Sequence, residues 1–198
     1  MRKLPISVAA LVALAALLVP AALAARVSVR VEGRTLSIFN SLETRFEAGA
    51  DALQALDAAS FRGEFYYHVS QSSFGQYVDQ IGRHPASGSS GWTFKVNGVS
   101  PPVGADKVAL KDGDRVLWYW ATFGPTGGPP TLLLRRAAGN CYRVVSENDQ
   151  GADRPAAGAV LHVDGRRIRI RTGRACVGRH LGSVRATMAG AVRSNALR

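Results

Sequence analysis

The chain has 198 residues, 25 Lys+Arg against 14 Asp+Glu for a formal net charge of +11, and 46% hydrophobic residues. It is long and apolar enough to bury one ordinary core or two small ones, which excludes disorder as a description of the whole. Its two cysteines, Cys141 and Cys176, build neither a four-thiolate zinc site nor a disulfide-dense miniature scaffold.

Residues 1–25 read as a signal peptide. Arg2 and Lys3 precede an Ala/Leu/Val stretch that closes on Ala22-Leu23-Ala24, small residues at the positions a signal peptidase reads. Cleavage is expected after Ala24 or Ala25; the alternative is a retained anchor, because Leu4 to Ala25 is about long enough to span a bilayer. No later stretch is apolar enough, so the mature chain is expected to be secreted without a membrane span. In an oxidising compartment Cys141 and Cys176 most simply pair, and closing a loop of about 36 residues adds roughly 3 to 4 kcal/mol on the loop-entropy account.

Val27, Val29 and Val31 alternate with Ser28, Arg30 and Glu32, the period-2 signature of a half-buried strand, and Glu32-Gly33 turns the chain into a hairpin with Leu36, Ile38 and Leu42 to Phe46. Ala50 to Ala59 reads as a short helix with Leu53 and Leu56 on one face. Trp92, Phe94 and Val96 alternate into Asn97-Gly98, a strong hairpin signal because both residues accept positive φ. Lys111-Asp112-Gly113-Asp114 supplies a further turn, after which Val116, Trp118 and Trp120 place a last strand on one face.

Gly124-Pro125-Thr126-Gly127-Gly128-Pro129-Pro130 has neither helical nor strand periodicity and reads as a linker, dividing a 26–123 domain from a 131–198 domain. Charge divides at the same place. Residues 26–130 hold ten Lys/Arg and ten Asp/Glu, whereas 131–198 hold thirteen Arg, no Lys and four acids. Beyond the linker, short apolar runs broken by Gly, Pro, Asn and Asp imply a small β-sandwich or half-barrel, with Asp164-Gly165 as its clearest turn. The fold expected is therefore α+β: one helix on a mainly antiparallel sheet, followed by a small all-β unit.

Ala52-Leu53-Gln54-Ala55-Leu56, then Ser73 to Ile81, then Gly91-Trp92-Thr93-Phe94-Lys95-Val96-Asn97-Gly98, then Gly104-Ala105 and Leu110 to Trp118 follow a recognisable order. Over about residues 27–123 this resembles the bacterial domain family related to the C-terminal domain of transcobalamin and intrinsic factor, a soluble-ligand-binding variant of the β-grasp fold. The motifs from Pro155 to Thr187 more faintly resemble carboxypeptidase-regulatory or bacterial immunoglobulin-like modules. The first resemblance implies a recognition role, with cobalamin among the candidate ligands. In the vertebrate relatives a helical domain covers the other face of that ligand; none is read here, so full enclosure would need a second protein.

The resemblance carries a ligand site onto the Ser73 to Tyr77 loop and the Trp92 to Asn97 hairpin, with Phe74, Gly75, Tyr77, Trp92, Phe94 and Asn97 as candidates. Phe74, Tyr77, Trp92 and Phe94 would offer flat apolar surface, and Gly75 would let backbone amides approach a ligand. The competing reading places Trp92 and Phe94 in the core, where alternating aromatics more often lie. Arg167, Arg169 and Arg171 alternate with Ile168 and Ile170, so on a strand three guanidinium groups leave one face; they are candidates for an anionic cell-wall polymer, or a merely solvated face.

Asp106, Asp112 and Asp114 lack calcium-loop spacing, and His68, His84, His162 and His180 lack a helical metal-ligand spacing. Neither a nucleophile elbow, a phosphate loop nor a stacking motif beside the arginines is present, so neither catalysis nor nucleic-acid binding is expected. The function expected is a secreted, non-catalytic protein binding a small molecule or glycan. The alternative is a structural or adhesive envelope module held by its basic face.

Overall fold

The computed structural model describes residues 25–40, 43–47, 49–73 and 75–198. The expected signal sequence up to Ala24, together with Leu42 and the candidate Phe74, lies outside the described residues. The front half contains β1 (Ala25–Glu32), β2 (Ser37–Phe39), β3 (Glu43–Phe46), α1 (Ala52–Gly63), β4 (Tyr67–Ser72), β5 (Gly75–Ile81), β6 (His84–Pro85), β7 (Ser90–Val96) and β8 (Arg115–Thr122).

The main sheet runs β2-β1-β8-β7, with β3 also pairing β1. It is antiparallel except at its centre, where β8 lies parallel to β1 and sets Val29 opposite Val116. A second sheet, β4-β5-β6, packs beside it. Helix α1 begins with a capping box: the Asp51 carboxylate accepts from the Gln54 amide at 2.7 Å, and the Gln54 side chain accepts from the Asp51 amide at 2.9 Å. It continues past Ala59 to Gly63 and ends where Glu64 turns left-handed, φ 51°. Ala52, Ala55, Leu56 and Ala59 then meet Val27, Val29, Val31, Val116 and Trp118 in one core.

The Asn97-Gly98 turn forms with positive φ at both residues, but it does not make the expected hairpin. Val96 meets Val99 in an isolated bridge, and the ladder partner of β7 is β8, seven residues of which pair with it. Gly98 also needs its missing side chain for a second reason: a Cβ there would stand 3.0 Å from the Glu147 carboxyl group.

The rear half contains β9 (Thr131–Arg136), β10 (Cys141–Glu147), β11 (Asp153–Pro155), β12 (Val160–Val163), β13 (Arg166–Arg169), β14 (Arg174–Cys176) and β15 (Arg185–Thr187). Strands β9, β11 and β14 join β10 in one sheet, and β13-β12-β15 form another. Leu132, Leu134, Tyr142 and Val144 from the first meet Leu161, Val163 and Ala186 from the second in a separate core. Cys141 and Cys176 are direct partners on β10 and β14 and form a disulfide. Among the described residues no helix is long and apolar enough to cross a membrane.

The two halves dock across the outer face of the main sheet. Leu117, Tyr119 and Ala121 of β8 cluster with Val192, while Val116 and Trp118 face the front core, so β8 is buried on both sides. The charged face of β1 is buried there too. The Glu32 carboxylate is fully enclosed, accepting from Arg30, Arg185, Arg193 and Ser37. Lys95 lies on the same face, its Nζ donating to the carbonyls of Glu147 and Asn148 and standing 3.4 Å from Asp149. The 124–130 segment is a tight turn, with Gly124 and Gly127 exchanging backbone hydrogen bonds and Gly128 donating to Asp149.

Candidate functional site

A cleft of about 310 Å³ opens beside β5 and β7, walled by Tyr77, Trp92 and Phe94 on one side and by Pro101, Pro102 and Val103 on the other, with Trp118 and Phe123 also lining it. The strand pairing explains the wall. Alternation along β7 sends Trp92 and Phe94 to one face, and β8 brings Trp120 and Trp118 directly opposite them. Trp92 packs edge-on to Trp120 at 5.6 Å between ring centres, and Phe94 stacks on Trp118 at 4.9 Å.

These aromatics serve mainly the core. Trp92 is only 2% exposed and Phe94 8%, so most of each ring belongs to the core and only an edge reaches the cleft. Trp92 donates its Nε1–H to the His84 carbonyl at 2.8 Å. Tyr77 is half-buried, and burial raises its phenol above the usual range while a backbone hydrogen bond from Trp92 opposes that rise. The freely reachable apolar surface comes from Val103 and Phe123, each 42% exposed.

Gly75 and Asn97 lie outside this lining. Gly75 adopts φ 120°, and a Cβ on it would sit 2.8 Å from an Asp106 carboxylate oxygen, so its bareness serves the packing of the loop on the Ala105–Lys107 turn. The Asn97 side chain ties two turns together, donating to Asp114 at 2.7 Å and accepting from the Arg115 amide at 3.0 Å. Sequence reasoning passed over Pro101, Pro102, Val103 and Phe123, whose nearest signal was a Pro-Pro pair just after a tight turn.

Trp118 is the distinctive member of the lining. Its Nε1 is buried without a hydrogen-bond partner, the one such side-chain atom among the described residues. An orphaned buried N–H costs free energy. No cluster of His, Cys, Asp or Glu able to hold a metal ion occurs among the described residues.

The basic strand has the geometry its alternation implies. Ile170 is fully buried and Ile168 packs on the rear core, while Arg167, Arg169 and Arg171 are exposed. Arg167 and Arg169 stand opposite His162 and Val160 of β12, and Arg171 follows just beyond the strand.

Residues 49–122 match the model of a family described as a domain of unknown function, DUF4430. That match spans α1, both front sheets' later strands and the whole lining of the cleft except Phe123. A solved structure from Ruminococcus gnavus, provisionally described as a metal binding protein, is similar at 14% identity and a TM-score of 0.39, covering 50% of this chain and 99% of its own. No curated protein matches.

Proposed function

We propose that the protein is an exported, non-catalytic binding module whose front cleft receives an apolar group of a small molecule or glycan. The observation that carries this is a hollow walled by aromatics and prolines, with reachable apolar surface at Val103 and Phe123. An occupant would cover the exposed apolar surface of Val103 and Phe123. The parallel β1–β8 pair, with one helix crossing the sheet, supports the β-grasp reading of the front half. The two packed rear sheets support a sandwich-like one. The disulfide-linked strand pair supports an oxidising, extracellular location.

At about 310 Å³ the cleft lies at the small end of ligand sites. A corrinoid ring system is larger than that space and would meet it with one edge, which favours a smaller ligand or a side group of a larger one.

Indole fluorescence tests the reading, because Trp92 and Trp118 line the site and Trp120 packs against Trp92. The protein is titrated with cyanocobalamin and, separately, with anilinonaphthalene sulfonate as an apolar probe, with inner-filter correction. Saturable quenching or probe emission that disappears in Val103→Arg, with unchanged melting, supports the cleft. Failure of both probes on the native protein, or unchanged binding by the variant, overturns it.

The exposed Arg167, Arg169 and Arg171 favour a second reading, adhesion to an anionic wall polymer. It requires that changing all three to Gln releases the protein from isolated cell walls at low salt; retention of the triple variant removes it.

A further inference from the structure

A second cleft, of about 330 Å³, lies between the halves, and its walls include Ser28, Arg30 and Arg115 from the front sheet and Arg135, Glu147 and Asn195 from the rear half. Arg30 is nine-tenths buried at this seam. It spends Nη1 on Glu32 at 3.2 Å and on the Arg193 carbonyl at 2.7 Å. Arg115 stands at the exposed end of β8, opposite Ser28.

From the cleft the same chemistry continues outward. Arg135 of β9, Arg143 of β10 and Arg174 of β14 are direct cross-strand partners, Arg135 opposite Arg143 and Arg143 opposite Arg174. Directly opposite residues share a face, so three guanidinium groups stand in a row across three strands, and like charges so placed repel one another. All three are exposed. Arg135 has Asp153 at 3.6 Å, with both side chains about half exposed; Arg143 and Arg174 have no partner among the described residues.

Asp153 is the one acid of the rear half beside this row; the other three are engaged elsewhere. Glu147 and Asp149 sit at the seam around Lys95 and Gly98, and Asp164 accepts from the Leu181 and Gly182 amides. A fold that sets three arginines side by side, at a cost in repulsion and without acids between them, gains from an external anion with matching spacing.

We infer that Arg115, Arg135, Arg143 and Arg174 form a track for an extended polyanion carrying repeated phosphate or carboxylate groups, which begins in the cleft between the halves and crosses the outer face of the rear sheet. This track is independent of the front cleft. It is also separate from Arg167, Arg169 and Arg171, which lie on the outer face of the other rear sheet, across the shared core. Because Arg115 belongs to one half and the other three to the second, an occupant would span the seam and brace the halves together. Aromatic side chains are missing from the row, which sets a charged polymer ahead of a stacked single-stranded nucleic acid.

Binding of the native protein to long-chain inorganic polyphosphate and to polygalacturonate, measured across a salt series, tests the inference and separates phosphate from carboxylate. Arg143→Gln with Arg174→Gln is expected to weaken binding about fivefold per arginine and to reduce the salt slope by about one per arginine. Melting should stay the same or rise, since the change relieves repulsion. Arg115→Gln, on the other half, is expected to weaken binding alike and to abolish the polymer's stabilisation of the seam. Native affinity in the double variant, loss of affinity only when Arg167, Arg169 and Arg171 are changed, or tighter binding of an oligodeoxythymidylate of matched charge would each overturn it.

Discussion

The two halves of this protein keep themselves folded by different means. The front half has a capped helix laid on a five-stranded sheet, large aromatics in its core and balanced charge. The rear half packs short strands of two small sheets around mostly aliphatic side chains, with a disulfide bracing one of them. Both halves spend charge on the seam, Glu32 and Lys95 from the front and Arg185, Arg193 and Asp149 from the rear, but only the rear half leaves a surplus of arginines in solvent. The contrast teaches that the seam is part of the rear half's stability, and that its exposed charge is the remainder.

Breaking the seam should give the largest effect. Glu32→Gln leaves Arg30, Arg185 and Arg193 without their shared carboxylate, and removing one member of a buried ionic group costs about 3 to 5 kcal/mol. Calorimetry should then show the halves melting as two transitions, in place of the single coupled transition expected of the native protein. Replacing Cys141 and Cys176 with Ala is expected to cost roughly 3 to 4 kcal/mol, from the closed loop of 35-residue separation. Made, like the substitutions that follow, in the uncoupled Glu32→Gln background, that change should lower the rear transition alone, and an equal fall in the front transition would contradict the contrast. Asp51→Ala removes the carboxylate that caps α1 and should lower the front transition by about 1 kcal/mol, leaving the rear one in place.

The smallest effect is set by pH. His162 shares a hydrogen bond with Thr187 between Nε2 and Oγ1 at 2.8 Å, and burial, reinforced by Arg167, lowers its imidazole below the ordinary 6.5. The unfolded chain therefore takes up the proton first as pH falls, so stability present above pH 6.5 declines below it. His162→Asn should flatten the rear transition's dependence between neutral and mildly acid pH; an unchanged slope would assign the dependence to another group.

Strand alternation made much of this architecture readable. Val27, Val29 and Val31 face the core as their spacing demands, and the Asn97-Gly98 and Asp164-Gly165 turns occur where their residues accept positive φ. The second face of those strands was not readable, because periodicity records which side is apolar and says nothing about what covers the other. Arg30 and Glu32 look solvated in sequence and are buried by a partner more than 150 residues away. Leu117, Tyr119 and Ala121 complete a continuous apolar run with Trp118 and Trp120, the mark of a strand enclosed on both sides, which single-face reasoning overlooked.

The cleft shows the same limit. Tyr77, Trp92 and Phe94 came from the position the resemblance carries over, whereas Pro101 to Val103 reach the cleft only through the return path between β7 and β8. Asn97 was a candidate as part of the hairpin that the resemblance carries over. Its amide is committed to Asp114 and Arg115, a partnership set by the second turn.

Strands β7 and β8 contribute lining to both hollows, Phe94 and Trp118 on one side, Lys95 and Leu117 on the other. They are a party wall one residue thick. Whatever stiffens that wall from one room is felt in the next, and by reciprocity two tenants would alter each other's tenure by the same factor.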